Sequence, residues 1–212
     1  QKLQKALDEI DILKGSANKR YVYSHESFVK PMLEYIVKDF ETTRIAHNNN
    51  DIGGMVICDS SDQAKTMHKI FQENYIIKEP LSNLTPKQCK DSKVKTADVI
   101  LHDIGTKDER REQIENFKEG KTDLLFVFNM LLTGFDSPRL KKLYMGRVVK
   151  AHSLLQALTR VNRPYENFNY GYVVDFAEIE KEFEKTNQSY LEELQNEFGD
   201  EIDKYSNLFK PS

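Results

Sequence analysis

The sequence predicts an α/β protein, a three-layer sandwich on a mostly parallel sheet of about five strands, with further helices at both ends of the chain. Three observations carry that prediction. Asp123-Leu-Leu-Phe-Val-Phe128 is an apolar run without alternation, as a central parallel strand covered on both faces requires. Strand-like runs alternate with helical patterns, the order that builds parallel crossovers. Thr106-Lys-Asp-Glu109 is a capping box, which fixes a helix start between two such runs.

Residues 1–50 read as a helical N-terminal region, because Phe28, Met32, Leu33, Ile36, Val37 and Phe40 recur at helical spacing. Asn48-Asn-Asn-Asp-Ile-Gly53-Gly54 ends that pattern and leads into a strand at Met55–Cys58. Ala64, Met67, His68, Ile70 and Phe71 mark an amphipathic helix, and 76–96, with Pro80 and Pro86, reads as a surface excursion. A strand over Ala97–His102 follows, then a helix from the capping box through Phe117. After the 123–128 strand, Leu143–Gly146 and Tyr170–Phe176 complete the sheet, so the α/β domain spans 51–176. Residues 177–212 read as an acidic helical extension, a packing or linker helix from Glu178 to Leu208.

Hydrophobic content of 39% supports a packed core, and no apolar run reaches the roughly 18 residues that would span a membrane. Cys58 and Cys89 give neither a disulfide framework nor zinc spacing, so a reducing cytoplasm is the expected location. The chain begins at Gln1 inside a helical pattern, which predicts an excised fragment. Net charge is −3, but residues 177–212 carry −6 and leave +3 on residues 1–176. No acid occurs between Ser137 and Tyr165, where Arg139, Lys141, Lys142, Arg147, Lys150, Arg160 and Arg163 lie. A phosphate backbone is the partner that such a basic stretch fits.

The chemistry concentrates in two places. At about 100° per residue, Gln156, Arg160 and Arg163 fall within about 60° on one face of a helix. Leu154, Leu158 and Val161 point nearly opposite, so one side packs on a sheet while two guanidinium groups project into a cleft. Arginine keeps its charge and offers planar donors, which suits phosphoryl oxygens. Ser153-x-x-Gln156 also fits a capping box, leaving Gln156 a second role at the helix start. The other place is the loop after the 123–128 strand, expected to lie beyond the carboxyl ends of the strands. There Gly134 permits close backbone approach, and Asp136 can accept a hydrogen bond from a ribose hydroxyl or a partner arginine, or simply form a turn before Ser-Pro.

Leu132-Thr-Gly-Phe-Asp-Ser-Pro138, Gln156-Ala-Leu-Thr-Arg-Val-Asn-Arg163 and Gly171-Tyr-Val-Val-Asp-Phe176 together resemble the second RecA-like domain of superfamily 2 helicases. They are most similar to the motor (R) subunit of type I restriction-modification enzymes. The resemblance is carried by residues 122–176 and extends more weakly to Met55–Gln63. It implies that Arg160 and Arg163 act as arginine fingers, and that Gln156, Gly134 and Asp136 face the nucleotide. It also implies that Thr133 couples the ATP site to double-stranded DNA, whose backbone the charge distribution assigns to Arg139, Lys141, Lys142, Arg147 and Lys150. The implied cofactors are ATP and Mg2+, bound mainly by a first RecA-like domain of the same polypeptide. Modification and specificity subunits are the implied protein partners.

No Gly-x-x-x-x-Gly-Lys-Ser/Thr occurs in this sequence, so the chain is not expected to hydrolyse ATP alone. Gly53-Gly54 precedes a strand and cannot cradle phosphate as such a loop does. Asp108-Glu109 suits a helix dipole, and His102-Asp103 lacks supporting ligands, so no metal site is expected. Two alternatives remain: another superfamily 2 helicase or remodelling ATPase, and a non-catalytic module binding nucleic acid or protein.

Overall fold

A computed structural model describes residues 19–75, 94–131, 134–149 and 151–177. Its strands are β1 (Gly53–Ile57), β2 (Ala97–Ile100), β3 (Leu124–Val127), β4 (Leu140–Met145) and β5 (Tyr172–Asp175). They form one sheet in the order β2-β3-β1-β4-β5, with every pair parallel. Helices α1 (Lys19–Ser24), α2 (Glu26–Ala46), α3 (Ser61–Asn74), α4 (Lys107–Lys118) and α5 (Ala151–Val161) complete the described elements. The N-terminal stretch 1–18, most of the expected excursion (76–93) and the expected acidic helix (Glu178–Leu208) lie outside the described residues.

Strand alternation divides the core into two layers. Val56, Leu124, Phe126 and Tyr144 face the α2 and α3 side, packing on Leu33, Ile36, Phe40, Met67 and Phe71. Met55, Ile57, Leu125, Val127, Leu143 and Met145 face the other side, against Phe117 of α4 and Leu154, Ala157 and Val161 of α5. This is the expected three-layer α/β sandwich, with the sheet parallel throughout. Each fully buried Phe, Leu or Ile contributes roughly 1.5–3 kcal/mol. α4 opens with the full capping box at Thr106 and Glu109. No described helix is long and apolar enough to cross a membrane.

Two strands begin earlier than their composition indicates. β1 takes in Gly53 and Gly54, both buried. β4 starts at Leu140 and includes Lys141 and Lys142, whose charges had marked them as surface residues. A register shift sits at this point, since Gly53 pairs with Leu140 while Gly54 pairs with Lys142. The extra residue is Lys141, a β-bulge.

The amino ends of the central strands are tied by two interior arginines. Arg44 of α2 donates to the Ile52 carbonyl and pairs with Asp123 at 2.7 Å, and Asp123 also accepts from the Lys95 and Thr96 amides. Arg139, 3% exposed, donates to the carbonyls of Asp51, Phe117 and Thr122. A buried arginine cannot shed its charge, so it must be met by oxygen acceptors.

Candidate nucleotide-facing arginine site

α5 supplies the first part of the site. Leu154, Ala157 and Val161, at intervals of three and four residues, are buried against the sheet and leave Gln156 and Arg160 on the partly open side. The helix begins at Ala151, so Ser153 lies inside its first turn and is not its N-cap. That removes the capping-box role for Gln156. The helix ends at Val161, short of Arg163. Arg163 directly precedes Pro164, whose ring disfavours helical backbone at the residue before it. The arginines therefore come from a helix and from the loop that follows it, rather than from a single helical face.

They nevertheless converge. The Arg163 guanidinium meets the Asp136 carboxylate at 2.6 Å, with both side chains about half exposed (51% and 57%). Burial lowers the pKa of Arg160, the Arg163 charge lowers it further, and the Asp136 charge opposes both. Arg163 and Asp136 thus both act on Arg160, in a cluster open to solvent. Asp136 is held between two buried neighbours. Phe135 packs on Phe117 with ring centroids 5.9 Å apart, and the Ser137 carbonyl accepts from the Leu140 amide at 3.0 Å. Leu131 and Gly134 both adopt left-handed backbone, with φ of 64° and 72°. Glycine takes that conformation freely, whereas at Leu131 it stores strain.

The cluster is not beyond the carboxyl ends of the strands. Asp136 lies four residues before β4, and Lys141, the second residue of that strand, reaches the Arg163 carbonyl. The chain after β3 has crossed one face of the sheet, carrying the motif to its amino edge. The carboxyl edge instead holds a cavity of about 470 Å³ lined by residues that include Tyr23, Phe28, Asp59, Phe128, Arg147 and Phe176.

The basic stretch expected to face DNA is largely interior. Arg139 is consumed by three carbonyls. Lys141 is fully buried, and Lys142 is 6% exposed, paired with Asp39 at 2.8 Å on the opposite face of the sheet. Strand alternation around the bulge, rather than charge, decides where these side chains go. Arg147 is half-buried at the carboxyl edge, donating to the Phe128 carbonyl and to Asn129. Thr133 and Lys150 lie outside the described residues. Sequence reasoning missed the Arg44–Asp123 pair and the contact of Lys141 with α5. An arginine at the end of an apolar helix, and a lysine pair in an otherwise apolar run, were the available signals.

A family model described as type I restriction enzyme subunit R domain 3 matches residues 59–178. The chain belongs to the type I restriction enzyme R-subunit family. Similar R-subunit relatives include the MjaIXP endonuclease subunit of Methanocaldococcus jannaschii, 31% identical over 70% of this chain and 14% of its own length. The HindI endonuclease subunit of Haemophilus influenzae is 36% identical over 41% of this chain and 9% of its own. The chain thus spans only a small part of the R subunits it matches. Among solved structures, the Pyrococcus furiosus Hef helicase domain is similar at 12% identity, covering 88% of this chain and 37% of its own, with a TM-score of 0.47. Saccharomyces Dbp5 bound to RNA and ADP BeF3 is similar at 15% identity, covering 83% and 37%, with a TM-score of 0.49.

Proposed function

We propose that this R-subunit chain is the second motor domain of an ATP-dependent DNA translocase, completing a nucleotide site held mainly by a first RecA-like domain. The carrying observation is the Arg163–Asp136 pair beside Arg160, half exposed at the sheet's amino edge. Its donor set fits a nucleotide phosphate. The Arg163 guanidinium holds the Asp136 carboxylate in an exposed ion pair worth only about 0–1 kcal/mol, so an incoming phosphate can displace the carboxylate at little cost. Arg160 and Arg163 would then neutralise charge on the transferred phosphoryl group, while Asp136 turns to a ribose hydroxyl and Gln156 and Gly134 border the nucleotide. Mg2+ would arrive with ATP on the first domain. Double-stranded DNA is the proposed track, with Thr133, Arg147 and Lys150 as its contacts, and modification and specificity subunits as partners.

The test is DNA-stimulated ATP turnover by the full-length polypeptide. Arg163→Ala is expected to reduce turnover by about 10³ or more with nucleotide affinity largely kept. Unchanged turnover would remove the arginine-finger role and leave a non-catalytic interaction module as the better reading.

A further inference from the structure

We propose that Lys141 is a positioning residue for Arg163, clamping the end of α5 so that the guanidinium is presented at a fixed place. This rests on the arginine-finger role above. Lys141 is fully buried, and its ammonium donates to the carbonyls of Val161, at 3.3 Å, and of Arg163. Those carbonyls belong to the last residue of α5 and to the finger residue itself, where Pro164 prevents the helix from continuing. A cation is the favoured partner for a helix C-terminus. None of the ion pairs found among the described residues involves Lys141, unlike its neighbour Lys142. Burial lowers its pKa, the mark of a charge held at a desolvation cost.

Gly171 also packs closely on the same carbonyl. A Cβ placed on Gly171 would come within 2.3 Å of the Val161 oxygen, so the start of the β5 segment lies directly against the helix end. The β-bulge makes the arrangement possible. By adding one residue it places both Leu140 and Lys141 on the α5 side, one for packing and one for the clamp. Arg163 thus has its main chain tied to β4 and its side chain tied to Asp136. A finger must be placed to within about an ångström, and a misplacement of that size costs up to about 10² in rate.

The decisive experiment is a double-mutant cycle on ATP turnover in the full-length polypeptide, using Lys141→Met, Arg163→Ala and the pair. Lys141→Met is expected to lower kcat by about 10- to 100-fold with little change in KM, and to have no further effect once Arg163 is alanine. An equal loss in both backgrounds would assign Lys141 a general structural role and overturn the clamp. Normal turnover in Lys141→Met, with Arg163→Ala impaired, would overturn the clamp alone. Unchanged turnover in Arg163→Ala would overturn the finger and the clamp with it. Should Lys141→Met fail to fold, the same cycle with Lys141→Gln, whose amide is too short to reach both carbonyls, decides by the same criterion.

Discussion

Arginines occupy the amino edge of this sheet in two opposite ways. Arg44 and Arg139 are sealed in, their guanidinium groups committed to backbone carbonyls and, for Arg44, to Asp123. Arg163, on the α5 side of the same edge, spends its charge on one half-exposed carboxylate. The residue type is the same and only the surroundings differ. An arginine whose donors are aimed at carbonyls inside the fold organises loops, whereas one with a replaceable partner at the surface is available to a ligand.

The largest test of that contrast is Asp123→Ala. It would take the Asp123 carboxylate from the buried Arg44 guanidinium and is expected to cost about 3–5 kcal/mol in urea unfolding. Asp136→Ala should change stability by no more than about 1 kcal/mol, because its pair is exposed. Equal costs for the two substitutions would erase the distinction. Arg139→Met comes next, with an expected loss of roughly 1–3 kcal/mol from three abandoned carbonyls. It should fall below Asp123→Ala, since one Arg139 nitrogen, Nη2, already lacks a partner and the substitution leaves no unpaired charge.

The smallest effect sharpens the comparison through a group that can discard its charge. His68 of α3, with Nε2 3.1 Å from the Ala97 carbonyl, has its pKa lowered by burial. The unfolded chain takes up this proton as pH falls through about 6.5, while the folded protein resists it. Stability should therefore be unaffected by His68 above that pH and decline below it, towards the lowered folded value. His68→Gln is expected to flatten that decline in unfolding curves between neutral and mildly acid pH. An unchanged slope would mean that His68 is protonated as readily in the folded protein as in the unfolded chain.

The layers were legible in the sequence because they follow from periodicity. The unbroken apolar run at 123–128 holds the interior strand β3, and the six apolar positions from Phe28 to Phe40 became the inward stripe of α2. The grouping of Asp136 with Arg160 and Arg163 came from the motif resemblance, and the structure brings those side chains together. Their geometry was hidden for local reasons. Helical periodicity carried α5 through Arg163, but Pro164 stops it at Val161. Charge alone placed Arg139, Lys141 and Lys142 on a surface, yet β4 runs between β1 and β5 and takes both lysines inside. Nothing in residue type announces a one-residue register shift, and that shift keeps Leu140 on the same face as Lys141.

The bulge at Lys141 also works as a phase shifter. In a regular strand every residue's side is dictated by its neighbours, so the loop leading into β4 would inherit its orientation from the core beyond it. One extra residue breaks that inheritance. Leu140 stays on the α5 side while Lys142 and Tyr144 keep their alternation on the α2 side. Deleting a single residue here would rotate the incoming chain by half a strand period and send Leu140 to the wrong layer. Length at this point is therefore more tightly constrained than identity, and a substitution within Leu140–Lys142 should be better tolerated than any change in the number of residues.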